Sequence, residues 1–299
     1  MLNTGEYILD FEEAISREGL APPVNLLDWF DLDGPWLRHA GAIYDSLVPT
    51  ELVFEADQDA LVKRTQARLL APVPRPGKLI CVGLNYRDHA AESNMPLPEK
   101  PVIFSKFSTS VVGPEEPVVL PKTSSQVDYE AELAVVIGRR AKHVALENAL
   151  DYVLGYTMIN DVSARDFQFG DGQWQRGKSC DTFAPMGIAI VMKDEIPDPH
   201  NLWIRLRLNG QTMQDSNTEQ LIFGVPELIV FLSETITLEP GDVIATGTPP
   251  GVGFARKPPV FLKTGDVMEV EVEKLGTLSS TVVAATEVPT SNKFAYSKI

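Results

Sequence analysis

The sequence predicts a mostly β fold of the α+β class, with a roll or barrel of strands as the main domain and a small N-terminal α/β domain before it. Three observations support this prediction. Short runs with strand-like alternation recur beyond residue 78, few helical patterns separate them, and a proline-rich segment divides them from an acidic N-terminal region. Many short strands with few helices are typical of sheets that fold back on themselves.

The N-terminal region is acidic and has weak hydrophobic patterning. We predict a strand at Tyr7–Asp10 and a helix at Gln58–Leu69. The segment that follows, Ala-Pro-Val-Pro-Arg-Pro-Gly, suits neither helix nor strand, because proline lacks a backbone N–H and fixes φ. The predicted organisation is therefore a small domain at 1–70, a linker at 71–77, a main domain at 78–284 and a polar C-terminal tail at 285–299.

The main domain is predicted to consist of short strands. Residues 202–208 alternate apolar and polar side chains and run into Asn209-Gly210, a dipeptide that favours a hairpin turn. The longest strand, Val127–Ile137, places alternate residues on opposite faces. A helix is expected at Pro226–Glu234. The other predicted strands are Leu79–Leu84, Val102–Phe104, Val118–Leu120, Tyr152–Asn160, Met186–Met192, Asp242–Thr246, Val267–Val272 and Leu278–Val283.

Charge excludes several classes of partner. The 299 residues include 26 Lys and Arg against 41 Asp and Glu, which gives a formal net charge of -15. Such a chain repels phosphate backbones and anionic lipid surfaces, so neither nucleic acid nor membrane is expected as a partner. No apolar run approaches the roughly 20 residues that span a bilayer.

The cysteines and the first residues bear on location. Cys81 and Cys180 are too few for a disulfide framework or a structural zinc site, and they indicate a reducing compartment. The first twenty residues carry five acids and lack the unbroken apolar run of a secretory signal. We therefore expect a cytoplasmic protein.

The strand at 127–137 carries the first candidate site. Its alternation puts Asp128, Glu130 and Glu132 on one face, with neighbouring side chains about 6.6 Å apart. Like charges side by side in an apolar strand cost several kcal/mol unless a cation compensates them. Oxygen ligands select hard cations such as Mg²⁺, Mn²⁺ or Ca²⁺. The alternative is a sheet edge whose acids face water.

Two further motifs are ambiguous by themselves. Asp161 follows the apolar run Gly155–Ile159, where a strand end presents side chains to a cleft, although a helix cap would look the same. Residues 172–179 match the phosphate-loop pattern G-x4-G-K-S. That pattern works only between a buried strand and a helix, and Phe167–Asp171 is not a clean strand while Pro185 blocks a long helix. We therefore reject a nucleotide-binding loop.

Six sequence blocks together resemble the fumarylacetoacetate hydrolase family. They occur in the family's order and cover roughly residues 78–284. Within the family, the loop at Arg256–Lys263 is most similar to the domain-containing protein 2 type. The six blocks are Gly83–His89, Asp128–Gly138, Asn160–Asp166, Gly177–Ser179, Ile196–His200 and Gly241–Pro249.

The resemblance implies a β-roll catalytic domain at 78–284 and usually a homodimer. It also implies Mg²⁺ or Mn²⁺ held by Glu130, Glu132 and Asp161, with Ca²⁺ as another possible ion. Asp128 is not among the family's usual three ligands.

The resemblance further assigns catalytic and substrate-binding roles. His89 and Glu92, three apart and so facing one another on a helical turn, match a catalytic dyad on a lid at 90–100. Lys178 matches a residue that pairs with substrate oxygens. The matches to substrate-binding positions are Arg165, Gln168 and Thr248. Without the resemblance, these residues would be read as a surface His–Glu pair, a surface salt bridge of Arg165 with Asp166 or Asp171, and ordinary turn chemistry.

These assignments predict a metal-dependent hydrolase that cleaves a C–C bond in a small 2,4-dioxo acid, such as an acylpyruvate or fumarylpyruvate, through a metal-stabilised enolate. The same enolate could form by decarboxylation of oxaloacetate or by its keto–enol tautomerisation, so these activities stay open as alternatives. A non-catalytic metal-binding module is the remaining alternative.

Overall fold

A computed structural model of the protein describes residues 7–17, 19–47 and 61–285. The chain divides into two compact units, one ending at Leu69 and the other beginning at Leu70. Of the predicted tail, only Ala285 lies within the described residues. No helix in these ranges is long and apolar enough to cross a bilayer.

The N-terminal unit combines strands and helices, as predicted. β1 (Tyr7–Leu9) pairs antiparallel with β2 (Leu61–Lys63), and the helices are α1 (Phe11–Arg17) and α2 (Pro35–Leu47). A small core forms because the apolar side chains of these elements meet. Its buried members are Leu9, Ile15 and Ile43, with Trp29 and Trp36 packed against them.

Of the elements predicted in this unit, the strand at Tyr7–Asp10 is confirmed by β1. The helix at Gln58–Leu69 is wrong where the chain is described, since residues 61–63 form a strand and Arg64–Gln66 a short 3₁₀ turn. The reason is tertiary: β1 offers residues 61–63 a strand partner, and pairing outweighs a weak helix propensity.

The second unit is built mainly of strands with short helices between them. Its helices are α3 (Arg87–Glu92), α4 (Arg165–Gly170), α5 (Gln175–Lys178) and α6 (Val225–Thr235). Its strands are β3 (Leu79–Gly83), β4 (Val102–Lys106), β5 (Val111–Val112), β6 (Val118–Leu120), β7 (Val127–Asp128), β8 (Ala131–Ile137), β9 (Val153–Asn160), β10 (Ser163–Ala164), β11 (Ala184–Pro185), β12 (Val191–Met192), β13 (Trp203–Leu208), β14 (Gln211–Asn217), β15 (Val243–Ala245), β16 (Val267–Val272) and β17 (Gly276–Ala284).

Two mixed sheets dominate the described part of this unit. One has the order β12-β9-β8-β15-β3-β4 and the other the order β14-β13-β16-β17-β6. β13 and β16 of the second sheet contact β8 of the first, and β8 and β9 are buried along their whole lengths. Burial on both faces explains why these two strands read as continuous apolar runs. The described strands form open sheets rather than a closed barrel, so the roll describes the fold better.

The turn and helix signals of this unit are also confirmed. Asn209 and Gly210 have φ of 53° and 79° and join β13 to β14 in the predicted hairpin. The helix predicted at Pro226–Glu234 is α6, which has a proline in its first turn. The strand predicted at Met186–Met192 is reduced to the two residues of β12.

The long strand predicted at 127–137 is interrupted at Tyr129–Glu130, which separates β7 from β8. Side chains replace the strand partner there. The amide oxygen of Asn160 accepts from the Glu130 N–H at 3.0 Å, and that of Gln214 accepts from the Ala131 N–H at 2.9 Å. The prediction of one continuous strand is therefore wrong, and the break frees Asp128 to make contacts different from those of Glu130.

Candidate metal and catalytic site

Three acids meet at one end of the six-stranded sheet. β8 and β9 are antiparallel with Ala131 opposite Asn160, so Glu130 and Glu132 lie beside the residue that follows β9, Asp161. One carboxylate oxygen from each acid lies within 4.8 Å of the other two, and all three residues are buried. Oxygen ligands in this arrangement suit a hard divalent cation.

Three buried cations partly compensate this charge. Lys178 Nζ donates to Glu130 Oε2 at 2.8 Å and to Asp161 Oδ2 at 2.7 Å. Lys106 Nζ donates to Asp161 Oδ1 at 2.6 Å, and Arg165 Nη2 lies 2.5 Å from Glu130 Oε1. The second partner of Arg165, Asp128, adds a fourth acid. Among the described residues of this cluster, four carboxylates thus face three cations.

The unbalanced charge falls mainly on Glu132. Burial, then Asp161 and Glu130, raise its pKa well above the ordinary value. Lys178 and the Gly247 N–H, which donates at 2.9 Å, lower the pKa but do not cancel this rise. For Glu130, burial also raises the pKa, but Lys178 and Arg165 outweigh burial and lower the pKa to about 2. A further cation would therefore be bound most favourably beside Glu132.

Lys178 remains an ammonium in this setting. Burial lowers its pKa, but Asp161 and Glu130 raise it more, so the net shift is upward. Its segment, which matched the phosphate-loop pattern, forms the four-residue helix α5 and points the lysine at two acids. A phosphate would be repelled there, which agrees with the rejection of a nucleotide-binding loop.

The structure brings His89 and Glu92 together on α3. Nδ1 of His89 lies 3.3 Å from Glu92 Oε2, and His89 is only 9% exposed. The Gly251 N–H donates to both oxygens of Glu92 at 3.1 Å. Glu92 is thus held from the opposite side by the segment Gly247–Arg256, here called the 250s loop.

Arg165 and Gln168 are neighbours on α4, with Arg165 Nη1 donating to Gln168 Oε1 at 2.9 Å. The surface alternative for Arg165 does not apply, because Asp171 pairs with Arg176 instead. Thr248 lies in the 250s loop with its hydroxyl engaged on both sides. It donates to the Ala131 carbonyl at 2.9 Å and accepts from Gln214 at 2.8 Å.

These groups line one cavity of about 290 Å³. Aromatic rings in its wall contact two of the cations: the Arg165 guanidinium lies 4.4 Å from the centre of the Phe254 ring, and Lys178 Nζ lies 4.9 Å from that of Phe104. The predicted site residues that line it are His89, Glu130, Glu132, Arg165, Gln168, Lys178 and Thr248. A larger groove of about 860 Å³ borders β4, but its lining includes none of the three acids. We therefore place the site in the smaller cavity.

Sequence reasoning missed Lys106. This lysine is fully buried on β4, and besides Asp161 it donates to the Val162 carbonyl at 3.0 Å. No sequence signal marks it: it follows Val102-Ile103-Phe104-Ser105, and lysine is among the residue types least often fully buried. Asp128 was set aside as well, and the structure places it against Arg165.

Comparisons with known proteins show which family the chain resembles. Residues 78–283 match the family described as fumarylacetoacetate (FAA) hydrolase C-terminal. The chain is 53% identical over 229 residues to the mitochondrial oxaloacetate tautomerase Fahd2a of Rattus norvegicus, covering 76% of this chain and 73% of the relative.

Solved structures share the fold. A fumarylacetoacetate hydrolase from Exiguobacterium antarcticum is 44% identical with a TM-score of 0.71, covering 76% of this chain and 83% of that one. A 5-carboxymethyl-2-hydroxymuconate delta-isomerase from Mycobacterium smegmatis is also 44% identical with a TM-score of 0.67, covering 75% and 85%.

The comparisons correct one expectation and confirm another. The cytoplasmic location is wrong by this comparison, because the rat relative is named as mitochondrial. Unpaired cysteines indicate a reducing compartment, and that property does not distinguish the cytosol from other reducing interiors. The predicted likeness to the domain-containing protein 2 type is confirmed by the same relative. With the family match covering most of its length, the chain belongs to the fumarylacetoacetate hydrolase family of enzymes.

Proposed function

We propose that the chain catalyses the keto–enol tautomerisation of oxaloacetate, with Mg²⁺ or Mn²⁺ held by Glu130, Glu132 and Asp161. The observation that carries the proposal is the single cavity lined by two of these acids, by Lys178 and by His89. The reaction is chosen because the rat relative is named an oxaloacetate tautomerase and a structural neighbour is named an isomerase.

The three acids fit a divalent cation for two reasons. Their ligand oxygens converge within 4.8 Å, and the buried cluster retains one negative charge that its described cations leave uncompensated. A divalent cation bound there would supply Lewis acidity toward the oxygen atoms of a 2-oxo acid.

The tautomerisation moves one proton between C3 and the oxygen on C2 of the substrate and breaks no C–C bond. In our proposal His89 is the base, because Glu92 engages Nδ1 and leaves Nε2 to take the C3 proton. Glu92 orients the ring and stabilises the imidazolium that forms. The Lys178 ammonium donates toward the C2 oxygen, where negative charge develops. Arg165 and Gln168 bind carboxylate oxygens, while Thr248 shapes the cavity wall.

Hydrolysis of an acylpyruvate is the second candidate. It is supported by the neighbour from Exiguobacterium antarcticum, which is named a fumarylacetoacetate hydrolase. In this reaction His89 takes a proton from water, the water oxygen attacks the distal carbonyl, and the adjacent C–C bond breaks to give pyruvate and a carboxylic acid. The sequence alone favours this hydrolysis, whereas the name of the rat relative favours tautomerisation.

The test is a direct comparison of the reactions. Enol-oxaloacetate is diluted into buffer with the protein and Mg²⁺ or Mn²⁺, and the loss of enol absorbance is followed. Parallel assays measure pyruvate release from oxaloacetate, which reports decarboxylation, and from acylpyruvates, which reports hydrolysis. We expect the enol to decay much faster than in buffer, EDTA to abolish the effect, and metal to restore it. Enol decay at the buffer rate with metal present would refute the tautomerase proposal.

We also propose that the chain forms a homodimer, as the resemblance implies. Analytical ultracentrifugation of the purified protein tests this: a single species near 33 kDa, the mass of one chain, would contradict it.

A further inference from the structure

Asp128 is a fully buried carboxylate whose two oxygens receive four donors. Oδ1 accepts from the N–H groups of Tyr129 at 2.9 Å and Gly253 at 2.7 Å. Oδ2 accepts from the N–H of Phe254 at 3.0 Å and from Arg165 Nε at 2.9 Å. A buried carboxylate is costly unless its lone pairs are satisfied, so this set of contacts is a specific construction.

The first set of Asp128 contacts, here called the Arg165 arm, positions Arg165. One edge of the guanidinium lies on Asp128, while Nη2 lies 2.5 Å from Glu130 Oε1 and the plane stacks on Phe254. Arg165 is thus shared between Asp128 and Glu130, and only Glu130 is one of the three proposed metal ligands. Asp128 limits how much of the positive charge of Arg165 falls on Glu130.

The second set of Asp128 contacts, here called the loop arm, holds the 250s loop. Asp128 fixes its residues Gly253 and Phe254, and two positions earlier Gly251 donates its N–H to Glu92. The loop backbone packs closely against its neighbours here, with no room for a Cβ at either glycine. A Cβ on Gly253 would lie 1.9 Å from the Val260 carbonyl oxygen, and Gly251, with φ of +99°, would place a Cβ 2.0 Å from that of Met213.

We propose that Asp128 is a positioning residue, which sets Arg165 against the metal ligands and, through the 250s loop, sets Glu92 against His89. This inference rests on the proposed function for its kinetic consequences. Its consequence for metal binding is independent of the substrate.

Asp128→Asn is the test variant, and Asp242→Asn is the matched control. Asp242 is equally buried, accepts from Lys78 at 2.7 Å and from the Glu239 N–H at 2.8 Å, and precedes β15 at the end away from the cavity. We expect Asp128→Asn to weaken Mn²⁺ binding and lower kcat by about 10- to 100-fold each, as loss of such supporting contacts does at other metal sites. Asp242→Asn should leave both unchanged.

Mn²⁺ affinity is measured by electron paramagnetic resonance titration without substrate. The value of kcat is measured in the enol assay at saturating Mn²⁺. A double-mutant cycle with Glu92→Ala then isolates the loop arm, since Asp128→Asn should lower kcat much less once Glu92 is absent. Multiplicative effects on kcat would refute the loop arm, and unchanged Mn²⁺ affinity would refute the Arg165 arm.

If Asp128→Asn does not fold, Asp128→Glu carries the test. The longer side chain keeps the charge beside Arg165 but displaces the carboxylate from the loop amides, so kcat should fall while Mn²⁺ affinity stays near that of the wild type. A variant with wild-type kcat would overturn the inference. If the wild type proves inactive on oxaloacetate but Asp128→Asn still weakens Mn²⁺ binding, the proposed function fails and the role of Asp128 at the metal site stands.

Discussion

The two sides of the cavity are held in different ways. The acidic side is held by neighbouring strands of one sheet, and its charged contacts are 2.5–2.8 Å long and fully buried. The dyad side is a six-residue helix whose His89–Glu92 contact is 3.3 Å and whose Glu92 is 30% exposed. The difference suits the proposed roles: a cation site needs fixed oxygens, whereas a side that admits substrate must be able to open.

Removing Glu130 tests the acidic side and should have the largest effect. In Glu130→Ala, we expect Mn²⁺ binding and turnover of any 2-oxo acid to fall below detection. The change also removes a carboxylate partner of Lys178 and of Arg165. Breaking a buried ion pair in this way costs about 3–5 kcal/mol of stability. Isothermal titration with Mn²⁺, the enol assay and urea unfolding measure the three effects. Full activity of the wild type in EDTA would contradict the metal requirement behind this prediction.

Removing His89 tests the dyad side. In His89→Ala, kcat for tautomerisation should fall by about 10²- to 10⁴-fold, the usual range for a general base, while Mn²⁺ affinity stays unchanged. The matched control is His143→Ala, which removes an exposed histidine in a loop beside α6 and should leave kcat unchanged. Steady-state kinetics and Mn²⁺ titration separate the two sides: loss of metal affinity in His89→Ala would show that the sides are not independent.

Replacing Lys106 sharpens the comparison within the acidic side. Lys106→Met removes the partner of Asp161 Oδ1. Mn²⁺ binding should weaken about 10- to 100-fold, because the lost orientation of Asp161 outweighs the negative charge that the cluster gains. The effect on kcat at saturating Mn²⁺ should be small. Lys106→Arg should recover part of the affinity. An unchanged Mn²⁺ dissociation constant in Lys106→Met would show that Lys178 alone orients Asp161.

Glu132→Gln should have the smallest effect on the stability of the metal-free protein, and this effect should have the opposite sign. The pKa of Glu132 is raised, so in metal-free protein its ionisation destabilises the fold as pH rises from the unfolded value of 4.5 through the folded one. Removing this charge should raise the melting temperature in EDTA at neutral pH by a few degrees, and abolish stabilisation by added Mn²⁺. Thermal unfolding with and without Mn²⁺ checks both. A lower melting temperature in EDTA would mean that Glu132 is already well compensated.

The sequence determined the local arrangement of the site. Glu130 and Glu132 are two positions apart, which predicts that they share one face. Helical spacing sets His89 against Glu92, and Asn209-Gly210 forms the hairpin. The resemblance added Asp161 and Lys178, which no local pattern would have joined to these acids. Sequence reasoning failed where side chains replaced strand partners, at Tyr129–Glu130, and where β1 recruited residues 61–63 as a strand.

Only the tertiary structure decided how the two sides of the cavity are supported. Lys106 meets Asp161 across 55 residues of sequence, and Glu92 meets Gly251 across 159. Asp128 joins Arg165 to the 250s loop across similar separations. Alternation and helical spacing specify the direction of a side chain relative to its own backbone. The partner that it reaches depends on sheet order and strand register, which arise from packing the whole unit.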